Sequence, residues 1–172
     1  MRRSNDQRRD AKTQKRPVFS AAPAQGELAL LMSDDSRCAE CGAPLVDGMD
    51  CWSQMGAICA WEWQDPELAA LHFVTVASYN LQHPAQFAPE TLANLQAVYV
   101  EHLDHGLPVA EIRRRIGAQA EGARRVLIPP SERRPVLRRW PLTVADVYIP
   151  DQPQGAADRV RAWAASIRRA LD

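Results

Sequence analysis

The sequence predicts a mainly α-helical protein, a small helical bundle with a cysteine-rich loop near its N-terminal side and a proline-rich extended connection before the last helix. Apolar residues recur at helical spacing in five segments, and prolines or glycines stand at most of their boundaries. Six prolines then fall between residues 129 and 153. With 172 residues the chain is long enough for one domain with a buried core.

The N-terminal residues differ in composition from the rest of the chain. Residues 1–24 are basic and carry almost no apolar periodicity, so we expect a disordered tail followed by a single helical domain over residues 25–172. No apolar run reaches the roughly 18 residues of a membrane span, and Met1 to Arg16 contain no secretory apolar region. We therefore expect a cytoplasmic protein without membrane association.

The first two predicted helices form a hairpin. Asp50 is a good N-cap residue and predicts a helix from Cys51 to Trp63. Pro66 suits the first turn of a second helix, which is predicted to run without interruption until Pro84. The first helix also carries three tryptophans that we expect to pack in the core, namely Trp52, Trp61 and Trp63.

Three further helices follow. A third is predicted from Pro89 to Gly106, which is a typical C-terminal stop. Pro108 opens a fourth, which is predicted to turn Val109, Ile112 and Ile116 inward. After the proline-rich connection, Gly155 precedes an amphipathic last helix with apolar residues at Val160, Trp163, Ile167 and Leu171.

The cysteines point to a metal site. Cys38 and Cys41 are separated by two residues, a spacing at which one turn directs both thiolates toward a single ion, and Gly42 fits such a turn. Cys51 is the first residue of the first helix and is the predicted third ligand. The helix N-terminus lowers the pKa of a thiol at this position, which favours the thiolate. These residues predict a structural zinc (Zn²⁺) knuckle over residues 36–51.

Hairpin geometry selects the fourth ligand. If the first two helices pack antiparallel about a turn near Asp65, the residues near position 80 return to Cys51, whereas His72 lies beside Ile58 and Cys59. Eleven residues of helix separate His72 from His83, about 16 Å at roughly 1.5 Å per residue. One ion cannot reach both, so His83 is the predicted fourth ligand.

Two other interpretations of the cysteines stay open. A redox dithiol would stand at a helix N-terminus within a strand–helix–strand pattern, which this sequence lacks. Alternatively, the thiols are free and simply pack. Cys59 has apolar neighbours and is predicted to be a core thiol rather than a ligand.

Several motifs occur in an order that resembles a known family. They are Cys38-Ala39-Glu40-Cys41-Gly42, Cys51, Leu71-His72, Tyr79-Asn80-Leu81-Gln82-His83-Pro84, Trp140 to Val147 and Val160 to Ala164. The chain resembles an uncharacterised bacterial family, a domain of unknown function of small proteins with a Cys-x-x-Cys-Gly head and a Leu-Gln-His-Pro signature. The resemblance implies a bacterial origin and a compact helical domain over residues 36–171, and carries no activity. Its matching positions are Cys38, Cys41, Cys51, His72 and His83.

A closed set of four ligands favours a structural metal and a protein that acts through protein contacts. The sequence has no Gly-rich phosphate loop and no Gly-x-Ser-x-Gly motif, so it offers no catalytic motif of these two kinds. It leaves open whether the protein is an enzyme. One alternative is a metalloenzyme with its metal or catalytic site around His72. In that case a second metal could also involve Glu101, His102 and His105.

The charge distribution gives a second alternative, a nucleic-acid-associated regulator. The net charge is zero, but residues 1–16 hold seven Lys/Arg against two Asp, and residues 101–140 hold nine Arg against five acids. The basic tail and the outward face of Arg113, Arg114 and Arg115 would contact the nucleic acid. Solvated helix faces explain the same pattern without any such partner.

Overall fold

The computed structural model describes residues 36–120 and 126–172, and this part of the chain is mainly helical, as predicted. Its seven α-helices are α1 (Cys51–Trp61), α2 (Pro66–Ala69), α3 (His72–Gln82), α4 (Pro89–His105), α5 (Val109–Ala120), α6 (Val144–Val147) and α7 (Ala156–Ala170). Short 3-10 helices lie at Pro84–Gln86 and Pro130–Glu132. β-Pairing in these residues is limited to isolated bridges. The predicted disordered tail, residues 1–24, lies outside the described residues.

The length and apolar content of the helices show whether any of them could cross a membrane. Within the described ranges, no helix is both long enough and apolar enough to cross a membrane.

The start of α1 follows from its capping residue. Asp50 is in an extended conformation, and its Oδ1 accepts a hydrogen bond from the Ser53 backbone N–H at 2.8 Å. This bond satisfies one of the amides that a helix N-terminus leaves without a partner, and it places Cys51 in the first turn. α1 ends at Trp61, two residues before the predicted end.

The predicted second helix is divided in two, so the prediction of one uninterrupted helix was wrong. Asp65 caps α2 by accepting hydrogen bonds from the amides of Glu67 at 2.9 Å and Leu68 at 3.1 Å. The chain leaves the helical conformation at Leu71, where φ is −94° and ψ is 5°. The Leu71 N–H instead bonds to the Leu68 carbonyl at 2.9 Å, which tightens the turn before α3 begins at His72.

The core is built around α7. Val160, Trp163 and Ile167 have no exposed surface, and α7 packs against α2, α3 and α6. α1 packs against α6, and α3 also packs against α4. The helical stripe predicted for the last helix is therefore the face that organises the domain.

The α4–α5 corner confirms part of the sequence pattern. Gly106 ends α4 in the left-handed conformation, with φ of 68°. Ile112 of α5 is buried in a small cluster with Val98 and Leu107. Ile116 lies one turn further along and is 42% exposed, so its predicted inward orientation was wrong.

Much of the proline-rich connection is neither helix nor strand, but it contains α6, which was not predicted. Thr143 and Asp146 form a capping box, in which the Thr143 N–H donates to Asp146 Oδ2 at 2.7 Å. Four residues are too few to show a helical period, which explains why the sequence pattern missed this helix. α6 contributes Val144 and Val147 to the core.

The tryptophans of the α1 region do not all pack in the core. Trp61 is partly buried and stacks on Tyr148 with ring centroids 5.4 Å apart. Trp52 and Trp63 are 70% and 92% exposed, so the predicted core packing was wrong for these two residues.

The capping bond of α1 can be tested by substitution. Asp50→Ala removes the acceptor for the Ser53 amide and should lower the free energy of unfolding by about 1 kcal/mol, measured by chemical denaturation. Asp50→Asn keeps a capping oxygen and should lie close to the wild type. Equal stability of the two variants would contradict the assigned cap.

Candidate metal centre

The cysteine loop is shaped by its own backbone. The Cys38 N–H donates to the Ala43 carbonyl at 2.9 Å, and the Gly42 N–H donates to the Cys38 carbonyl at 3.0 Å. Gly42 has φ of 73°, a left-handed conformation that glycine adopts without strain. This tight turn keeps Cys38 and Cys41 close together, and the chain then leads through Asp50 into Cys51.

The structure brings the four predicted site residues together. Ligand atoms of Cys38, Cys41, Cys51 and His83 all lie within 4.8 Å of one another. Cys38 Sγ is 3.4 Å from His83 Nε2, and Cys41 Sγ is 3.4 Å from Cys51 Sγ. In a tetrahedral site with metal–sulfur bonds of about 2.3 Å, two sulfur ligands lie roughly 3.8 Å apart. The spacing of the ligand atoms in this cluster therefore suits a single metal ion.

His83 is oriented for this role by the end of α3. Its Nδ1 donates to the Tyr79 backbone carbonyl at 2.7 Å, because a carbonyl can only accept. The other nitrogen, Nε2, therefore faces Cys38. The Tyr79 ring stacks on the imidazole with centroids 4.0 Å apart. A backbone carbonyl that fixes the ring in this way is typical of metal-binding histidines.

The four groups change one another's protonation. Hydrogen bonds from Cys41 and Cys51 lower the pKa of Cys38 far below its usual value. The hydrogen bond to Cys38 raises the pKa of Cys51, which reverses the lowering expected from the helix N-terminus. Burial opposes a charge on His83, but its interactions with Cys38, Cys41 and the Tyr79 carbonyl together outweigh burial and raise its pKa to about 10. The cluster thus holds negative charge that competes for protons, and a bound cation would replace those protons.

Two polar side chains tie the cysteine loop to the rest of the fold. Glu40 Oε2 accepts a hydrogen bond from the Ala85 N–H at 2.8 Å, just after His83, and the Glu40 carbonyl accepts one from the Arg138 N–H at 2.8 Å.

Gln54 is fully buried, and its amide donates to the carbonyls of Pro44 and Met49. Sequence reasoning missed both residues, because neither stands at a spacing that predicts such a contact.

A second group of possible ligands lies at the other end of α1. Ligand atoms of Cys59, Glu62 and His72 are all within 4.8 Å of one another. This agrees with the predicted position of His72 beside Cys59. Cys59 is partly buried and packs against the core, and burial raises the pKa of its thiol to about 11, with a contribution from the charge of Glu62.

Two of the alternative second-metal residues, Glu101 and His102, make other contacts. In the described part of the chain, His72 is not grouped with Glu101, His102 or His105 as potential ligands. His102 Nδ1 donates to the Leu107 carbonyl at 2.6 Å, and Glu101 pairs with Arg115 at 2.6 Å.

The arginine face proposed for nucleic-acid binding is partly neutralised. Arg114 and Arg115 both pair with Glu111, at 2.6 Å and 2.8 Å. Arg115 also pairs with Glu101, as described above. Two of the three predicted contact residues are therefore committed to acids on their own and a neighbouring helix.

The fold and the cluster together define a small, mainly helical protein with a buried Cys₃His group that could hold a metal ion. The family model of a family of unknown function, DUF5946, matches residues 36–172, and the chain belongs to that family. This confirms the expected membership of an uncharacterised family; the Cys-x-x-Cys-Gly and Leu-Gln-His-Pro signature and the bacterial origin stay predictions. Neither a curated protein nor a solved structure matches the chain.

The anchor at Glu40 gives a stability prediction. Glu40→Ala leaves the Ala85 amide without its acceptor and should lower the free energy of unfolding by about 1 kcal/mol. Glu40→Gln keeps an acceptor oxygen and should lose less, as measured by thermal or chemical unfolding of the two variants side by side. If the glutamine variant is as unstable as the alanine variant, the hydrogen bond to Ala85 is not what Glu40 contributes.

Proposed function

We propose that the protein binds one structural Zn²⁺ through Cys38, Cys41, Cys51 and His83, and that it acts through protein contacts rather than as a catalyst at this centre. The observation that supports this proposal is the mutual approach of four ligand atoms within 4.8 Å. Three of the four residues are buried, and Cys38 is partly buried.

The ligand set favours zinc over other common ions. Three sulfurs and one imidazole nitrogen are soft or borderline donors, which suit zinc and not magnesium or calcium. Four protein ligands complete a tetrahedron and leave no position for a substrate, which is the arrangement of a structural site. Thiolate ligands also persist best in a reducing compartment, in line with the proposed cytoplasmic location.

The metal would stabilise the fold by cross-linking distant segments. Cys38 and His83 are 45 residues apart in the chain, so an ion held by both closes a long loop. Such a site rarely exists in the unfolded chain, and its binding free energy therefore becomes folding free energy. The metal would stabilise the loop that precedes α1 most, because this loop contributes few buried apolar side chains.

Exposed aromatic side chains support a role in protein contacts. Trp52 is 70% exposed beside the cysteine cluster, and its ring makes a T-shaped contact with the Tyr79 ring at a centroid distance of 6.0 Å. Trp63 is 92% exposed just beyond α1. Tryptophan is enriched among the residues that dominate binding energy at protein interfaces.

Metal content tests the proposal directly. Protein purified without chelator should contain about one equivalent of tightly bound zinc per chain, measured by elemental analysis. A content below about half an equivalent would count against a structural zinc, since a folded chain would then do without it.

Substitution of a ligand should connect the metal to stability. Cys41→Ser should lose the zinc and lower the midpoint of thermal unfolding by about 10 °C or more, which corresponds to roughly 3 kcal/mol for a domain of this size. His83→Ala should behave similarly. His102→Ala is the matched control, because His102 also donates from Nδ1 to a backbone carbonyl but is not in the cluster.

A chelator separates metal loss from a simple packing defect. It should destabilise the wild type toward the level of Cys41→Ser and leave that variant unchanged. If Cys41→Ser keeps the wild-type melting temperature, the structural role proposed for the metal is wrong.

A further inference from the structure

Cys59, Glu62 and His72 form a compact group at the opposite end of α1 from the cysteine cluster. Cys59 lies in the last turns of α1, Glu62 is the C-cap residue of that helix, and His72 begins α3. A sulfur, a carboxylate oxygen and an imidazole nitrogen thus lie within 4.8 Å of one another. This group shares no residue with the cluster of Cys38 and His83.

Helix geometry explains why the three side chains meet. Residues three apart on a helix lie on the same face, so Cys59 and Glu62 project together. Trp61, between them, turns the other way and stacks on Tyr148. The antiparallel return of the chain then brings His72 onto this face, where its Nδ1 is 2.7 Å from Glu62 Oε2.

Glu62 carries the feature that a simple surface ion pair leaves unexplained. Its side chain is only 12% exposed, and while Oε2 contacts His72, Oε1 is buried without a hydrogen-bond partner in the described residues. A buried carboxylate oxygen without a partner is costly. A cation bound by both oxygens of this carboxylate would give Oε1 a partner.

We propose that Cys59, Glu62 and His72 form a second site, for a divalent transition-metal ion such as zinc or cobalt, with one coordination position left open. The ligand set suits such an ion in type and in charge. A thiolate and a carboxylate together balance the charge of a divalent cation, and a mixed set of sulfur, oxygen and nitrogen donors selects against magnesium and calcium.

The second site differs from the first in access and completeness. The His72 side chain is 55% exposed, so the ion would reach solvent and exchange. Three protein ligands leave a position for water or an atom of a small molecule, which is the arrangement of catalytic zinc sites. The ion must displace the proton of the Cys59 thiol, and with three protein ligands instead of four and an exposed His72 we expect weaker binding here than at the first site.

Cobalt binding tests the second site in the full-length protein. Protein purified with its resident metal is titrated with Co²⁺, and thiolate-to-cobalt absorbance is followed. We expect one additional equivalent of cobalt, with an affinity reduced at least about tenfold in Cys59→Ala and in His72→Ala. His105→Ala, which removes another histidine outside both groups, should bind cobalt like the wild type.

The possible outcomes separate this proposal from the structural zinc. The absence of additional cobalt, or a thiolate signal that Cys59→Ala does not change, overturns the second site. Retention of the first metal by Cys59→Ala and His72→Ala shows that these variants are folded, and Glu62→Gln offers a third variant. A Cys59-dependent signal that persists in Cys41→Ser supports the second site even where the first binds no zinc.

Discussion

The antiparallel alignment of α1 and α3 is the constraint on which both groups of potential ligands depend. At one end it brings Cys51 to His83, and at the other it brings Cys59 and Glu62 to His72. The two helices owe this alignment to the neighbours on which they pack, α6 for α1 and α7 for α3. The apolar core around α7 therefore sets the positions of polar groups that lie at its edge. Contacts between rings, such as Trp52 with Tyr79, then complete the alignment locally.

The two groups of potential ligands differ in how deeply they are buried, and this difference sets the role that an ion could have in each. Around His83 the ligand atoms are mostly enclosed, and a carbonyl from the same helix directs the imidazole inward, so an ion there would act as a cross-link. Around His72 the imidazole is largely exposed and held by a carboxylate, so an ion there would face solvent. The same pair of residue types, histidine and cysteine, would thus serve a closed site and an open one, depending on how much of the core surrounds it.

The sequence predicted what depends on periodicity and on short loops. α1 followed from the N-cap residue Asp50, α4 and α7 followed from apolar spacing, and the hairpin argument correctly placed His83 near Cys38. The break at Leu71 was not predictable, because no glycine or proline marks it and its conformation is set by tertiary packing. The part played by Glu62 was equally hidden, since one acid three residues after a cysteine is common on helices. The exposure of Trp52 and Trp63 was not predicted, because residue type indicates burial only on average.

The spacing of Cys51, Cys59 and Glu62 on a single helix has a consequence for how this chain can change in length. Inserting or deleting one residue between Cys51 and Cys59 would rotate the rest of α1 by about 100°, which would turn Cys59 and Glu62 away from His72 while Cys51 still faced His83. Loops such as residues 46–49 can vary without that penalty, because they carry no ligand. Among relatives of this chain, length changes should therefore be found in loops and be excluded from the interior of α1.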